Sequence, residues 1–120
     1  MKESGEMYLE TIYVLSKDGP VRSMDVATGL GVSKPSVSRA MGILKEGNYI
    51  HINDKGHITL TEAGLKIARK IYARHIVLKA HLEGLGVDEK TAEEDACRME
   101  HVISDDTFKA LTEHMNKKDK

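Results

Sequence analysis

Apolar residues at Met7, Tyr8, Leu9, Ile12, Tyr13, Val14 and Leu15 recur at helical spacing and stop before Asp18-Gly19-Pro20, so the pattern predicts a first helix over residues 3–17. Ser23 is placed to cap a second, shorter helix that Gly31 ends. Ser33 begins a third, with Pro35 in its first turn, Val37, Ala40, Met41 and Leu44 facing inward, and Gly47-Asn48 at its stop. The period then changes from helical to alternating. Tyr49-Ile-His-Ile-Asn and His57-Ile-Thr-Leu-Thr flank the turn Asp54-Lys-Gly56, which predicts a short two-stranded hairpin. Thr61-Glu-Ala-Gly reads as a helix cap, after which Leu65, Ala68, Ile71, Tyr72, Ile76, Leu78, Leu82 and Leu85 carry a wide apolar face to Gly84-Leu-Gly86. Further helices are expected over residues 88–103 and from Asp105 to near Met115, followed by Asn116-Lys-Lys-Asp-Lys as a solvated tail.

This order predicts a mainly α chain. Residues 1–62 form a winged helix-turn-helix with a two-stranded wing, residues 63–120 an all-helical module, and a long helix over residues 61–84 joins them. In such a motif the third helix enters the major groove. Its first turn offers Ser33, Lys34, Pro35, Ser36, Ser38 and Arg39: hydroxyls and exposed N–H groups suit phosphate, and Arg39 suits a guanine edge. Lys55 at the wing tip adds a backbone contact.

At 120 residues the chain forms one compact unit or a small domain with an appendage, a size at which oligomerisation helps. The net charge of −1 conceals an asymmetry: residues 1–75 carry 11 Lys/Arg against 8 Asp/Glu, and residues 76–120 carry 7 against 11. The basic part is the part that contains the helix-turn-helix pattern, as phosphate binding requires. No run reaches the roughly 18 apolar residues of a membrane span, and Met1-Lys-Glu-Ser-Gly-Glu lacks the apolar stretch of a signal peptide, so a cytoplasmic location without membrane contact is expected. One cysteine excludes an internal disulfide, leaving Cys97 as an inert thiol, a metal ligand or a redox-sensitive group.

Late in the chain, Asp95-Ala-Cys97-Arg-Met-Glu100-His101-Val-Ile-Ser104 puts thiol, carboxylate and imidazole at i, i+3 and i+4, one face of a helix. Sulfur, oxygen and nitrogen converging in this way suit a transition metal. His75 on the long helix and Met7 with Glu10 on the first helix are further donors, although taken singly Met7 also suits a core and Glu10 a solvated surface.

With these residues in view, the chain resembles the diphtheria toxin repressor-like metalloregulators that control iron and manganese uptake. The resemblance is carried by Glu6-Met-Tyr-Leu-Glu-Thr-Ile-Tyr13, Val32-Ser-Lys-Pro-Ser-Val-Ser38, Leu60-Thr-Glu-Ala-Gly64, Arg74-His75 and the run from Glu94 to Ser104. It implies a metal-loaded homodimer that binds double-stranded operator DNA and represses metal-uptake genes, with Ile103, Phe108, Leu111 and Met115 contributing to the dimer interface. It implies an iron-type activating site at Met7, Cys97, Glu100 and His101; manganese-type members add the positions of Glu10 and His75. Thioether and thiolate favour Fe(II) over Mn(II), with Co(II), Ni(II) or Zn(II) as substitutes in vitro. The ancillary site of iron-type members matches at His75, but Lys79 stands in place of a carboxylate and Glu93 in place of a histidine. Glu10, His75 and Glu93 remain able to hold a second ion in another arrangement. The sequence also stops before the SH3-like domain that iron-type members usually carry, so a short form of the family is expected.

In the mechanism this implies, ligands from the first helix and from the helical module restrain the DNA-binding half when metal is bound. The alternative is a winged-helix regulator that senses an oxidant or small ligand through Cys97. Cys97-x-x-Glu100-His101 also resembles an inverted zinc-protease motif, but nothing else in the sequence points to a substrate cleft, and no enzyme is expected.

Overall fold

In the computed structural model, residues 3–118 are described, with side chains through residue 115. The elements follow in the order α1 (Glu3–Ser16), α2 (Ser23–Leu30), α3 (Lys34–Glu46), β1 (Ile50–Ile52), β2 (Ile58–Leu60), α4 (Glu62–Gly84), α5 (Glu89–Met99) and α6 (Asp105–Lys118). The chain divides into two compact units, and the division falls inside α4, after Lys70. Among the described residues no helix is long and apolar enough to cross a membrane.

In the first unit, α1 buries Leu9 and Ile12 from its apolar stripe and places Glu3 and Glu6 in its first turn, where carboxylates complement the exposed N–H groups. The cap of α2 differs from the expectation at Ser23. Arg22 is the N-cap residue, in extended backbone, and its N–H donates to the Asp25 carboxylate at 2.9 Å. An acid three residues into a helix can reach back in this way, which leaves Ser23 as the first helical residue. Gly31, at φ 67°, ends α2 in the left-handed region. For α3 the expectation holds: Ser33 Oγ accepts from the Ser36 N–H at 3.3 Å, Pro35 lies in the first turn, and Val37, Met41 and Leu44 are buried.

The wing is antiparallel, with Ile50 opposite Leu60, His51 opposite Thr59 and Ile52 opposite Ile58. Its turn is closed by Asn53, whose side-chain oxygen accepts from the N–H groups of Lys55 (3.0 Å) and His57 (2.9 Å). A further rung ties the wing to the α1–α2 connection: the Ile58 N–H donates to the Val21 carbonyl at 2.7 Å. Thr61 then starts α4 as its sequence suggests, donating its hydroxyl to the Asn48 carbonyl (2.7 Å) and accepting from the Gly64 N–H (3.2 Å). Gly64 is required here, since a Cβ at this position would lie 2.1 Å from the Tyr49 carbonyl oxygen. Leu9, Ile12, Val21, Val26, Val37, Met41, Leu44, Ile50, Ile58 and Ala68 form one core beneath α3 and the wing.

In the second unit, Asp88 caps α5 by accepting from the Thr91 N–H at 3.1 Å, and Ser104 caps α6 by accepting from the Thr107 N–H at 3.1 Å. Ile71, Leu78, Ala92 and Ala96 are buried. The helix expected over residues 88–103 is shorter: α5 stops at Met99, and residues 100–103 form a turn. The cause is Arg74, a buried guanidinium on α4 whose Nη1 donates to the carbonyls of Glu100 (3.2 Å) and Ile103 (3.0 Å). Satisfying those carbonyls from outside removes the need for a further helical turn. α6 runs three residues beyond the expected Met115, to Lys118, so most of the supposed tail is helical; Asp119 and Lys120 lie outside the described residues.

Candidate metal centre

Glu100 is the C-cap of α5 and retains right-handed helical backbone, while His101 lies in the turn beyond. The single helical face expected for Cys97, Glu100 and His101 therefore ends at Glu100, yet the turn still brings the last two together. His101 Nε2 lies 3.3 Å from Glu100 Oε1, and His75 Nδ1, from α4, lies 2.9 Å from Glu100 Oε2. The Glu100 carboxylate has no solvent exposure and so sits between two imidazoles. Cys97 lies one helical turn back on α5 and is half-buried.

A second layer surrounds His75. Its Nε2 lies 3.0 Å from the Glu93 carboxylate, and Glu93 Oε2 lies 3.3 Å from Lys79 Nζ. Both ring nitrogens therefore face carboxylates, an arrangement only the doubly protonated ring satisfies in full. The hydrogen bond to Glu100 raises the His75 pKa, partial burial opposes it and Glu93 adds to it, giving a value of about 9. Burial alone would push the Glu93 carboxyl up, but His75 and Lys79 outweigh it and hold it below the usual range. Arg74 fixes the backbone of this site. Besides its two carbonyl bonds it pairs with Asp105 in the first turn of α6, and its guanidinium stacks 5.3 Å from the Phe108 ring centre.

The donor set fits a divalent cation. A carboxylate without solvent is costly unless a positive charge compensates it, and here the neighbours are two imidazole nitrogens, borderline ligands that suit first-row transition metals. In the first unit, Met7 and Glu10 are half-buried on α1. On the DNA side, Ser33, Lys34, Pro35, Ser36, Ser38 and Arg39 are all exposed on the first turns of α3, and Lys55 is exposed at the wing tip.

Residues 1–58 match the iron-dependent repressor N-terminal DNA-binding domain, and residues 61–120 match the iron-dependent repressor metal-binding and dimerisation domain. The chain belongs to the iron-dependent repressor family. Its members are metal-dependent transcriptional regulators, not enzymes, and the two domains imply operator DNA and a second subunit as partners. The chain is similar along its whole length to an uncharacterised HTH-type transcriptional regulator of Methanocaldococcus jannaschii, with 39% identity over 124 residues covering 100% of this chain and 99% of that protein. It is also 31% identical to the diphtheria toxin repressor of Corynebacterium glutamicum over 114 residues, covering 92% of this chain and 50% of that protein. The chain thus spans half the length of that relative. Among solved structures, the manganese regulator SloR superposes with a TM-score of 0.84 at 27% identity, covering 93% of this chain and 53% of that one.

Within this iron-dependent repressor chain, two features went unread in the sequence. Arg74 interrupts the apolar face of α4 at the i+3 position between Ile71 and Leu78, and a charge at an inward position was the available signal of a buried clamp. Arg22 Nη2 lies 3.3 Å from His57 Nε2, so the α2 cap and the turn end of the wing share an exposed polar pair. No local pattern links residues 35 positions apart.

Proposed function

We propose that this chain represses metal-uptake genes as a homodimer that binds operator DNA when loaded with Fe(II), with Mn(II) as the competing ion. The observation that carries the reading is the solvent-free Glu100 carboxylate between His75 and His101. A divalent ion, when bound, supplies the positive charge that the His75 proton otherwise provides. The proposed ligands in the second unit are His75, Cys97, Glu100 and His101, and Met7 and Glu10 are the further donors that the family resemblance implies. The thioether of Met7 and the thiolate of Cys97 favour Fe(II), whereas Glu10 and His75 supply the harder donors that Mn(II) accepts.

Ser33, Ser36 and the first-turn N–H groups of α3 meet phosphate, Arg39 reads a guanine edge, Lys34 and Ser38 line the same face, and Lys55 touches the backbone from the wing. Pro35 shapes the first turn. Ile76, Leu85 and Val102 are exposed apolar side chains of the second unit, which supports its use as a subunit interface.

The test is an anaerobic titration of Fe(II) and Mn(II) against the metal-depleted chain and a promoter fragment of a metal-uptake gene. Tight binding at lower free Fe(II) than Mn(II) is the expected result. An equal or stronger Mn(II) response reverses the metal preference, and binding indifferent to both ions removes the metal-controlled reading for that promoter.

A further inference from the structure

Beyond Glu100, charge alternates along a chain of side chains in the second unit: Glu100, His75, Glu93, Lys79. The steps are 2.9 Å from Glu100 to His75, 3.0 Å from His75 to Glu93 and 3.3 Å from Glu93 to Lys79. Lys79 Nζ also lies 3.9 Å from Glu83 and 3.8 Å from Glu89, so three carboxylates surround one ammonium. Without that ammonium, Glu83, Glu89 and Glu93 would form a rim of oxygen donors beside an imidazole, a setting that a second divalent ion accepts. With it, the local negative charge is already compensated, and an ammonium offers no lone pair for ligation.

We propose that Lys79 is a resident cation that holds Glu93 as an outer acceptor for His75 and so limits each subunit to one bound divalent ion. The inference deepens the metal-binding reading above and rests on it. Metal-ligating histidines commonly donate their second ring N–H to a carboxylate, which fixes the ring's orientation. Glu93 stands in that place at His75 Nε2, while Nδ1 faces the buried Glu100. Lys79 pairs with Glu93 Oε2, an oxygen that His75 Nε2 also faces, and so keeps the carboxylate from turning toward a second ion. Glu93 thus changes from a candidate ligand to a group that orients one, and Lys79 becomes a positioning residue. Exposed ion pairs contribute little to stability, so the consequence of Lys79 lies in metal count.

The experiment equilibrates the full chain with Mn(II) and measures bound metal per subunit by elemental analysis, with circular dichroism to verify folding. The wild type is expected to hold one ion. Lys79→Arg keeps the charge and stays at one, whereas Lys79→Glu takes two, the second bound at least about tenfold more weakly than the first. Lys79→Gln, which removes the repulsion and adds no charged ligand, only a neutral amide oxygen, stands in if the glutamate variant does not fold and is likewise expected to admit the second ion. A wild type with two ions, or glutamate and glutamine variants that remain at one, overturns the role of Lys79 and leaves the metal centre intact. A wild type that binds no divalent ion overturns the metal reading itself.

Discussion

Glu100 concentrates the chemistry of the second unit in one side chain, because a carboxylate removed from water must be matched by a positive charge close at hand. In the metal-depleted protein that charge is the His75 imidazolium. Its folded pKa of about 9 lies above the ordinary 6.5, so the proton stabilises the folded state fully below pH 6.5, and the contribution is lost as pH rises through 9. We expect the melting temperature of chelator-treated protein to fall between pH 7 and 10, and His75→Gln to flatten that slope. Divalent ions compete with the same proton, so metal affinity should rise with pH over the same interval. Glu100→Gln removes the charge at nearly constant shape. Mn(II) affinity measured by calorimetry should drop by about 100-fold or more while the far-ultraviolet spectrum is retained; unchanged affinity would show that Glu100 is not a ligand.

At the scale of elements, the first three helices and the wing were legible because local signals set their ends: Ser33 and Pro35 at the start of α3, Gly31 after α2, and the alternation on either side of residues 54–56. The end of α5 was not legible. It depends on Arg74, whose bond to the Glu100 carbonyl spans 26 residues of sequence, and periodicity within α5 carries no trace of that partner. Of the candidate site, the pairing of Glu100 with His101 was legible in their adjacency, but the turn that brings His101 back to Glu100 was not. Arg74→Met should therefore act on both levels. Leaving two carbonyls short of a donor costs about 1–3 kcal/mol, read as a lower urea midpoint, and the loosened turn should weaken metal binding as well. Gly64→Ala tests a different contact. The added methyl meets the Tyr49 carbonyl at the root of α4, and overpacking of this kind costs about 1–3 kcal/mol in thermal or denaturant unfolding.

For the whole molecule, the separation of charge matters more than its sum. The basic first part presents α3 and the wing tip, and affinity for any duplex should fall steeply with salt as phosphate counterions are released. Arg39→Ala should cost about 1–3 kcal/mol on the operator and much less on unrelated duplex, as read by titration at one fixed salt concentration. The turn of the wing carries a consequence of another kind. Asn53 holds that turn through its own side chain and the backbone of Lys55 and His57, and Gly56 supplies the left-handed step at φ 81°. The identities of Asp54 and Lys55 therefore do not enter the hairpin's register. With Asn53 and Gly56 retained, the two tip positions form an exchangeable cassette, open to re-engineering for a different groove width or backbone charge while the hydrophobic core beneath keeps its melting temperature.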